Sequence, residues 1–341
     1  MKKIISVFLC LAAVLFTFTC CGNDKGGTTA PLITESTETT ENSTSSTEAP
    51  SATELSPQIN ASTVVDDENT DISYPIDRSN TVLTGDKGGK TLTGYTPLPA
   101  ITYNATQNKG NFSTQKKSHS HGPASGGKAH HTVVQFQKEF ERFSAFTLGD
   151  QNKKELYLTF DCGYEHDNLT EKVLDVLKEK NVPATFFSTL DHVKAEPELI
   201  GRMIREGHIV GNHSATHPSF ATIDREKMAK EIETFENHMR EKFGYASKFF
   251  RFPSGEYTDS ALDQIASLGY VSVFWSVAYN DWNTDKIQGK DYAVETVMSR
   301  LHNGAIILLH SVSHDNAEAL PDIIDKARAE GYEFKSLTDI I

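Results

Sequence analysis

Five short stretches carry the residues best suited to chemistry. They are "LTFDCGYE" (residues 158–165), "NHSATHP" (212–218), "RFPSG" (251–255), "NDW" (280–282) and "AIILLH" (305–310). His213 and His217 stand at H-x-x-x-H spacing, which can put two imidazoles on one metal ion. The Ser, Ala and Thr between them and Pro218 after them point to a loop rather than a helix interior. Asp161 is an acceptor able to take a proton from a water that a metal has activated. Arg251 can hold Asp161 ionised and oriented through a bidentate pair. His310 titrates in the range needed to protonate a leaving amine, and Asp281 can fix its tautomer. Trp282 can wall a pocket or stack on a sugar face, although a core tryptophan would satisfy the same pattern.

Cys162 is open to three readings. As a thiolate it would bind Zn²⁺ at about 2.3 Å and complete a Cys-His-His set with a fourth position for water. As a small neutral residue it would fill space and leave a two-histidine site. As a nucleophile it would need a base within hydrogen-bond reach, and thioester chemistry would replace the metal mechanism.

These residues need elements to bring them together. Short β-branched and aromatic runs occur at 156–160, 184–190, 208–212, 248–252, 271–277, 305–309 and 332–337. Amphipathic helical stretches alternate with them, several closing on Asn or Gly as helix C-termini do. Seven strands and six intervening helices make one α/β domain with a parallel sheet, a closed or partly closed barrel rather than an open sheet. Asp161, His213, Arg251, Asp281 and His310 all lie at or just beyond C-terminal strand ends. In a parallel α/β barrel those ends converge on the face where active sites form. His208 precedes its strand's end and reads as structural.

"LTFDCG", "HSATHP", "RFPSG", "NDW" and "LLH" resemble, in order, the five motifs of the polysaccharide deacetylases (the NodB homology domain, carbohydrate esterase family 4). "TFDCGYE", "FWSVAYNDW" and "ILLHSVSHDNAEAL" further resemble the delta-lactam-biosynthetic de-N-acetylases that act on muramic acid in spore peptidoglycan. The resemblance covers about residues 132–341. It implies a distorted (β/α)7-type barrel that removes N-acetyl groups from an amino sugar with a divalent metal, zinc being the candidate. Asp161 would be the general base, Arg251 its partner, His310 the general acid and Asp281 its support. His213 and His217 would be metal ligands. Ser254, through its backbone N–H, with Gly255 and Trp282, would face the substrate. Most of the family has a second Asp where this chain has Cys162, so the third ligand is the point of departure. The rival readings are an N-acetylglucosamine or chitin-type deacetylase, a wall O-acetyl esterase, and a glycan-binding barrel that has lost full metal ligation.

The chain ends speak to location. Lys2 and Lys3 precede an apolar stretch from Ile4 to Phe18, too short to span a bilayer comfortably, which ends at Cys20-Cys21-Gly22. Residues 1–20 read as a lipoprotein signal with the lipid on Cys21, which places the protein outside the cytoplasm. Of the four cysteines only Cys162 lies in the folded part, so no internal disulfide is expected there. From Thr28 to Thr63, 17 of 36 residues are Ser or Thr, and ten acidic residues with no Lys or Arg fall between Gly26 and Asp77. Most of the formal net charge of −13 therefore belongs to a solvated, self-repelling tract rather than a binding face. Residues 21–131 read as a disordered tether, including the four histidines of "SHSHGPASGGKAHH". About 110 residues of coil would span roughly 60 Å. The expected partners are peptidoglycan strands and a membrane reached only through the lipid, with no nucleic acid.

Overall fold

The computed structural model describes residues 83–84, 91–92, 97–124 and 126–341; the leader, Cys21 and the Ser/Thr/Glu-rich tract lie outside them. Eight strands form one parallel sheet: β1 (Ala145–Phe146), β2 (Glu155–Cys162), β3 (Ala184–Ser188), β4 (Ile209–Asn212), β5 (Phe249–Phe250), β6 (Val271–Val273), β7 (Ala305–His310) and β8 (Glu333–Phe334). The longer strands are apolar along almost their whole length because helices cover one face and the barrel interior the other. The order is β7-β2-β3-β4-β5-β6-β1, and the sheet curls until its ends are bridged between Leu148 and Ala305 and between Val277 and Ile307. The distorted barrel expected from the sequence is the fold observed.

Register decides where the polar residues emerge. Leu156 through Asp161 on β2 pair with Ala305 through His310 on β7, so the expected base and acid sit side by side on neighbouring strands. Cys162 pairs with Ser188, Ser188 with Asn212, and Asn212 with Phe250, so the strand ends that follow stay level around the barrel.

All seven expected strands occur, with two differences of placement. The last shrinks to β8 and pairs with Glu155 and Leu156 at the start of β2. That edge is open because β3 joins β2 only from Leu158 onward. β1 is an eighth strand beyond these seven. Helix α1 (His131–Phe140) and one 3-10 turn end at Ser144, whose left-handed φ of 48° breaks the spiral and releases β1. Leu190, placed at the end of a strand by its hydrophobicity, opens a short helix that Thr189 caps through the His192 N–H.

The packed body also starts well before residue 132, which corrects the tether boundary. The Leu98 N–H donates to the Arg240 carbonyl, and Asn237 exchanges hydrogen bonds with both backbone groups of Ile101. Glu233 accepts from the Tyr103 N–H and Gln264 from the Thr106 N–H. Lys117–Ser118 then pairs antiparallel with Glu256–Tyr257. This arm has no periodicity of its own, since side chains of Arg225–Phe243 and Asp259–Ser267 satisfy its backbone.

Candidate active site

At the C-terminal ends of the strands lies a cavity of about 1110 Å³, bordered by Asp161, His213, His217, Ser254, Trp282 and His310 among others. Asp161, the penultimate residue of β2, lies beside a fully buried Arg251, which follows β5. The Arg251 guanidinium is spread over three acceptors. Nη1 donates to Asp161 Oδ1 at 2.8 Å, Nε to the Val273 carbonyl at 2.9 Å, and Nη2 to the Phe274 carbonyl at 3.2 Å. Its face lies 4.1 Å from the Phe187 ring centroid. The pair is therefore single-pronged rather than bidentate, because the other nitrogens hold β6 and the residue after it. Burial alone would raise the Asp161 pKa. The charge of Arg251, with His213 and His310, outweighs it and holds the carboxyl below its usual range.

The second dyad lies beside it, on the neighbouring strand. His310 Nδ1–H donates to Asp281 Oδ1 at 2.7 Å, and the His310 backbone N–H to Asp281 Oδ2 at 2.8 Å. Asn316 donates from Nδ2 to the same carboxylate and is itself bound by Tyr279. Burial works against the imidazolium, but Asp281 and, more weakly, Asp161 outweigh it, so the His310 pKa is raised despite Arg251. The imidazolium thus persists to higher pH than in a free histidine. Replacing Asp281 by Asn removes the main raising influence, so the alkaline limb of kcat should move to lower pH. At pH 8 turnover should fall by roughly 10- to 100-fold, with a smaller loss at pH 6. A pH–rate profile parallel to wild type would sink this assignment.

His213 and His217 occupy the predicted loop. Asn212 accepts from the Ser214 N–H, and Glu231 takes both the N–H and the hydroxyl of Thr216, which fixes the turn. Ser214 and His217 both adopt positive φ. His213 Nδ1–H donates to the Arg251 carbonyl at 2.8 Å, so Nε2 carries the free lone pair, 3.6 Å from Asp161 Oδ2. The His217 ring centroid is 4.8 Å from that of His213. Burial draws the His213 pKa down to about 4 against the pull of Asp161, and lowers that of His217 too. Two neutral imidazoles, one oriented through its second nitrogen, fit a metal ion.

Cys162 does not join them. Successive side chains on a strand point to opposite faces, and Cys162 follows Asp161 on β2. Although Cys162 borders the cavity, its thiol is fully buried with Sγ 3.3 Å from Ser311 Oγ. Burial pushes the thiol pKa well above its usual value, which disfavours a free thiolate nucleophile. The space-filling reading is the one the geometry supports. Cys162→Ser should leave kcat within about twofold and cost about 1 kcal/mol of stability. A collapse of activity with intact folding would restore the ligand reading.

Ser254 stands at the cavity wall with φ 57°. Gly255 does not border the cavity. It is buried with φ +64°, and a Cβ there would come 2.8 Å from Trp275, so this glycine shapes the loop instead. Trp282 is 54 % exposed, its indole 6.1 Å from the His310 ring, which makes it a wall rather than core.

Four positioning residues escaped the sequence reading. His119 Nε2–H donates to the Trp275 carbonyl, and Trp275 Nε1–H donates to His121 Nδ1 while His121 Nε2–H reaches the Ala278 carbonyl. Both histidines line the cavity with Trp275. Their alternation immediately after the strand-like "KS" was the available signal, since i and i+2 share a face. Asn316, six residues beyond His310 at the start of a helix, was the fourth.

A polysaccharide deacetylase family model matches residues 148–273. Bacillus subtilis PdaA, a peptidoglycan-N-acetylmuramic acid deacetylase, is 42% identical over 227 residues, covering 66% of this chain and 84% of PdaA. The solved structure of Bacillus subtilis PdaA, a family 4 carbohydrate esterase, superposes with a TM-score of 0.65 at 39% identity, over 67% of this chain and 97% of that one. A peptidoglycan-N-acetylglucosamine deacetylase of Bacillus cereus is 33% identical over 201 residues, 58% of this chain and 72% of the relative. Together with the two carboxylate dyads on one cavity, this places the chain in the polysaccharide deacetylase family, carbohydrate esterase family 4, whose deacetylases are hydrolases.

Proposed function

We propose that this chain hydrolyses the N-acetyl group of N-acetylmuramic acid in peptidoglycan, outside the cytoplasm and with a divalent metal. The observation that carries this reading is the pairing of Asp161 with Arg251 and of His310 with Asp281, with base and acid on register partners of two neighbouring strands that border one cavity. A binding barrel has no use for an ionised base and a protonated acid side by side. The likeness to PdaA, closer than that to the glucosamine deacetylase, supports muramic acid as the sugar.

His213 and His217 would hold the metal, zinc by the nature of the donors, and bound there it would polarise the acetyl carbonyl and ease ionisation of water. Asp161, kept ionised by Arg251, accepts the proton as water attacks the acetyl carbon. The Ser254 backbone N–H supports the developing oxyanion. His310, its Nδ1–H given to Asp281, delivers the Nε2 proton to the sugar nitrogen as the C–N bond breaks. Acetate and a free amine leave, and Trp282 at the rim guides the glycan. The amine can then close on the lactyl carboxyl of the same sugar as a δ-lactam, the acyl C–O bond breaking with loss of water. Anchorage through a lipid on Cys21 is supported by the leader ending at Cys20-Cys21. Among the described residues no helix is long and apolar enough to cross a membrane.

The test is digestion of intact and stem-peptide-free glycan strands by the purified protein, chelator-stripped and reloaded with Zn²⁺. Acetate release and muropeptide masses are read together. Deacetylated muramic acid appearing only with metal is the expected result. Deacetylated glucosamine alone would replace the substrate, and tight glycan binding without acetate would leave a binding barrel.

A further inference from the structure

Outside the cavity, the loop after β2 and the segment after β7 bring together a second set of ligand-type side chains. The donor atoms of His166, Asp167 and His314 all lie within 4.8 Å of one another. Asp167 Oδ2 is the centre, 3.0 Å from His314 Nε2 and 3.7 Å from His166 Nε2. Donors bound to one Zn²⁺ at about 2.0–2.1 Å in tetrahedral geometry stand roughly 3.3–3.5 Å apart. The observed spacing brackets that value, and only a small closing of the two rings would be needed.

The supports of these side chains are firm. The Leu169 N–H donates to the His166 carbonyl, and Glu165 accepts from the Thr170 N–H, which ties the loop to the helix Leu169–Lys180. Asp167 and Asn168 both adopt left-handed φ, 49° and 56°, and this turn is what delivers the carboxylate to the two imidazoles. His314 is the first residue of the helix His314–Ala329, capped by Ser313. Among the described residues, the ion-pair partners of Asp167 are these two imidazoles, with no lysine or arginine.

We propose that His166, Asp167 and His314 form a second divalent-metal site, distinct from His213 and His217, that clamps the loop following Asp161 to the segment following His310. Two imidazoles and a carboxylate select Zn²⁺ or a neighbouring transition ion over Ca²⁺ and Mg²⁺, which favour all-oxygen shells. Water completes the coordination, since the side chains of His166 and His314 are 32% and 29% exposed and that of Asp167 is 61% exposed. The role is positional: Tyr164, two residues before His166, and Val312, two before His314, both border the cavity. A metal here would fix that part of the wall without touching substrate.

The full chain, stripped with chelator, is titrated with Zn²⁺ by calorimetry at pH 7.5 beside His166→Gln/His314→Gln and Asp167→Asn. The double variant should bind one equivalent fewer, and Asp167→Asn should weaken that equivalent at least tenfold. Zinc should also raise the melting temperature of wild type more than that of the double variant. Binding by other histidines, such as His130 and His131, remains in every protein and cancels. Unchanged stoichiometry and affinity in both variants would reduce the cluster to an ion pair and overturn the proposal. Should the double variant melt early without metal, Asp167→Asn, a change at an exposed carboxylate, decides alone. The result does not depend on which sugar the cavity accepts.

Discussion

Asp161→Asn should lower kcat by about 10²- to 10⁴-fold, the range that a positioned general base contributes, with KM nearly unchanged. Asparagine keeps the size of the side chain and one acceptor oxygen for Arg251 Nη1, so the wall and the loop of His213 and His217 should stay in place. The loss then reports the missing proton acceptor. Steady-state acetate release with zinc content measured on the same sample separates the two roles of this position. A variant that keeps more than a tenth of wild-type turnover would remove Asp161 from the base role. One that loses its zinc would make it a ligand as well.

Arg251→Met should be the most destabilising single change in the site. The arginine is fully buried, and its removal leaves the Asp161 carboxylate without its counter-charge and the Val273 and Phe274 carbonyls without donors. Breaking a buried ion pair from one side costs about 3–5 kcal/mol. For a domain of this size that is a fall of roughly 10 °C in melting temperature. Arg251→Lys should recover only part of it, because a single ammonium cannot reach three acceptors held in a fixed fork. Thermal melts of both variants at neutral pH check the ranking. Equal melting of wild type and Arg251→Met would mean that the pair contributes orientation alone.

Much of this site was legible because its residues follow strands that read strongly. Asp161, His213 and His310 each punctuate or follow a continuous apolar run, and a parallel sheet places such punctuation on one face. Gly255 and Cys162 were misread or left open for one reason. Which way a side chain faces at the end of a short strand depends on pleat and on neighbours such as Trp275 and Ser311, which come from elsewhere in the chain. The arm from residue 97 was invisible for a different reason. Its backbone partners are Asn237, Glu233 and Gln264 on distant helices, so no local pattern announces it. Ser144 hid β1 similarly, by adopting a conformation that propensity gives to glycine or asparagine.

Neither dyad is local in the chain. Arg251 meets Asp161 across 90 positions, and Asp281 meets His310 across 29. Each working group is held by a residue from another part of the barrel, so no fragment or half-closed sheet contains a competent base or acid. During refolding, helices can form early, but contacts of such long sequence separation come late and slowly. Turnover would be the last property to return, which makes enzymatic activity a direct clock for closure of the barrel.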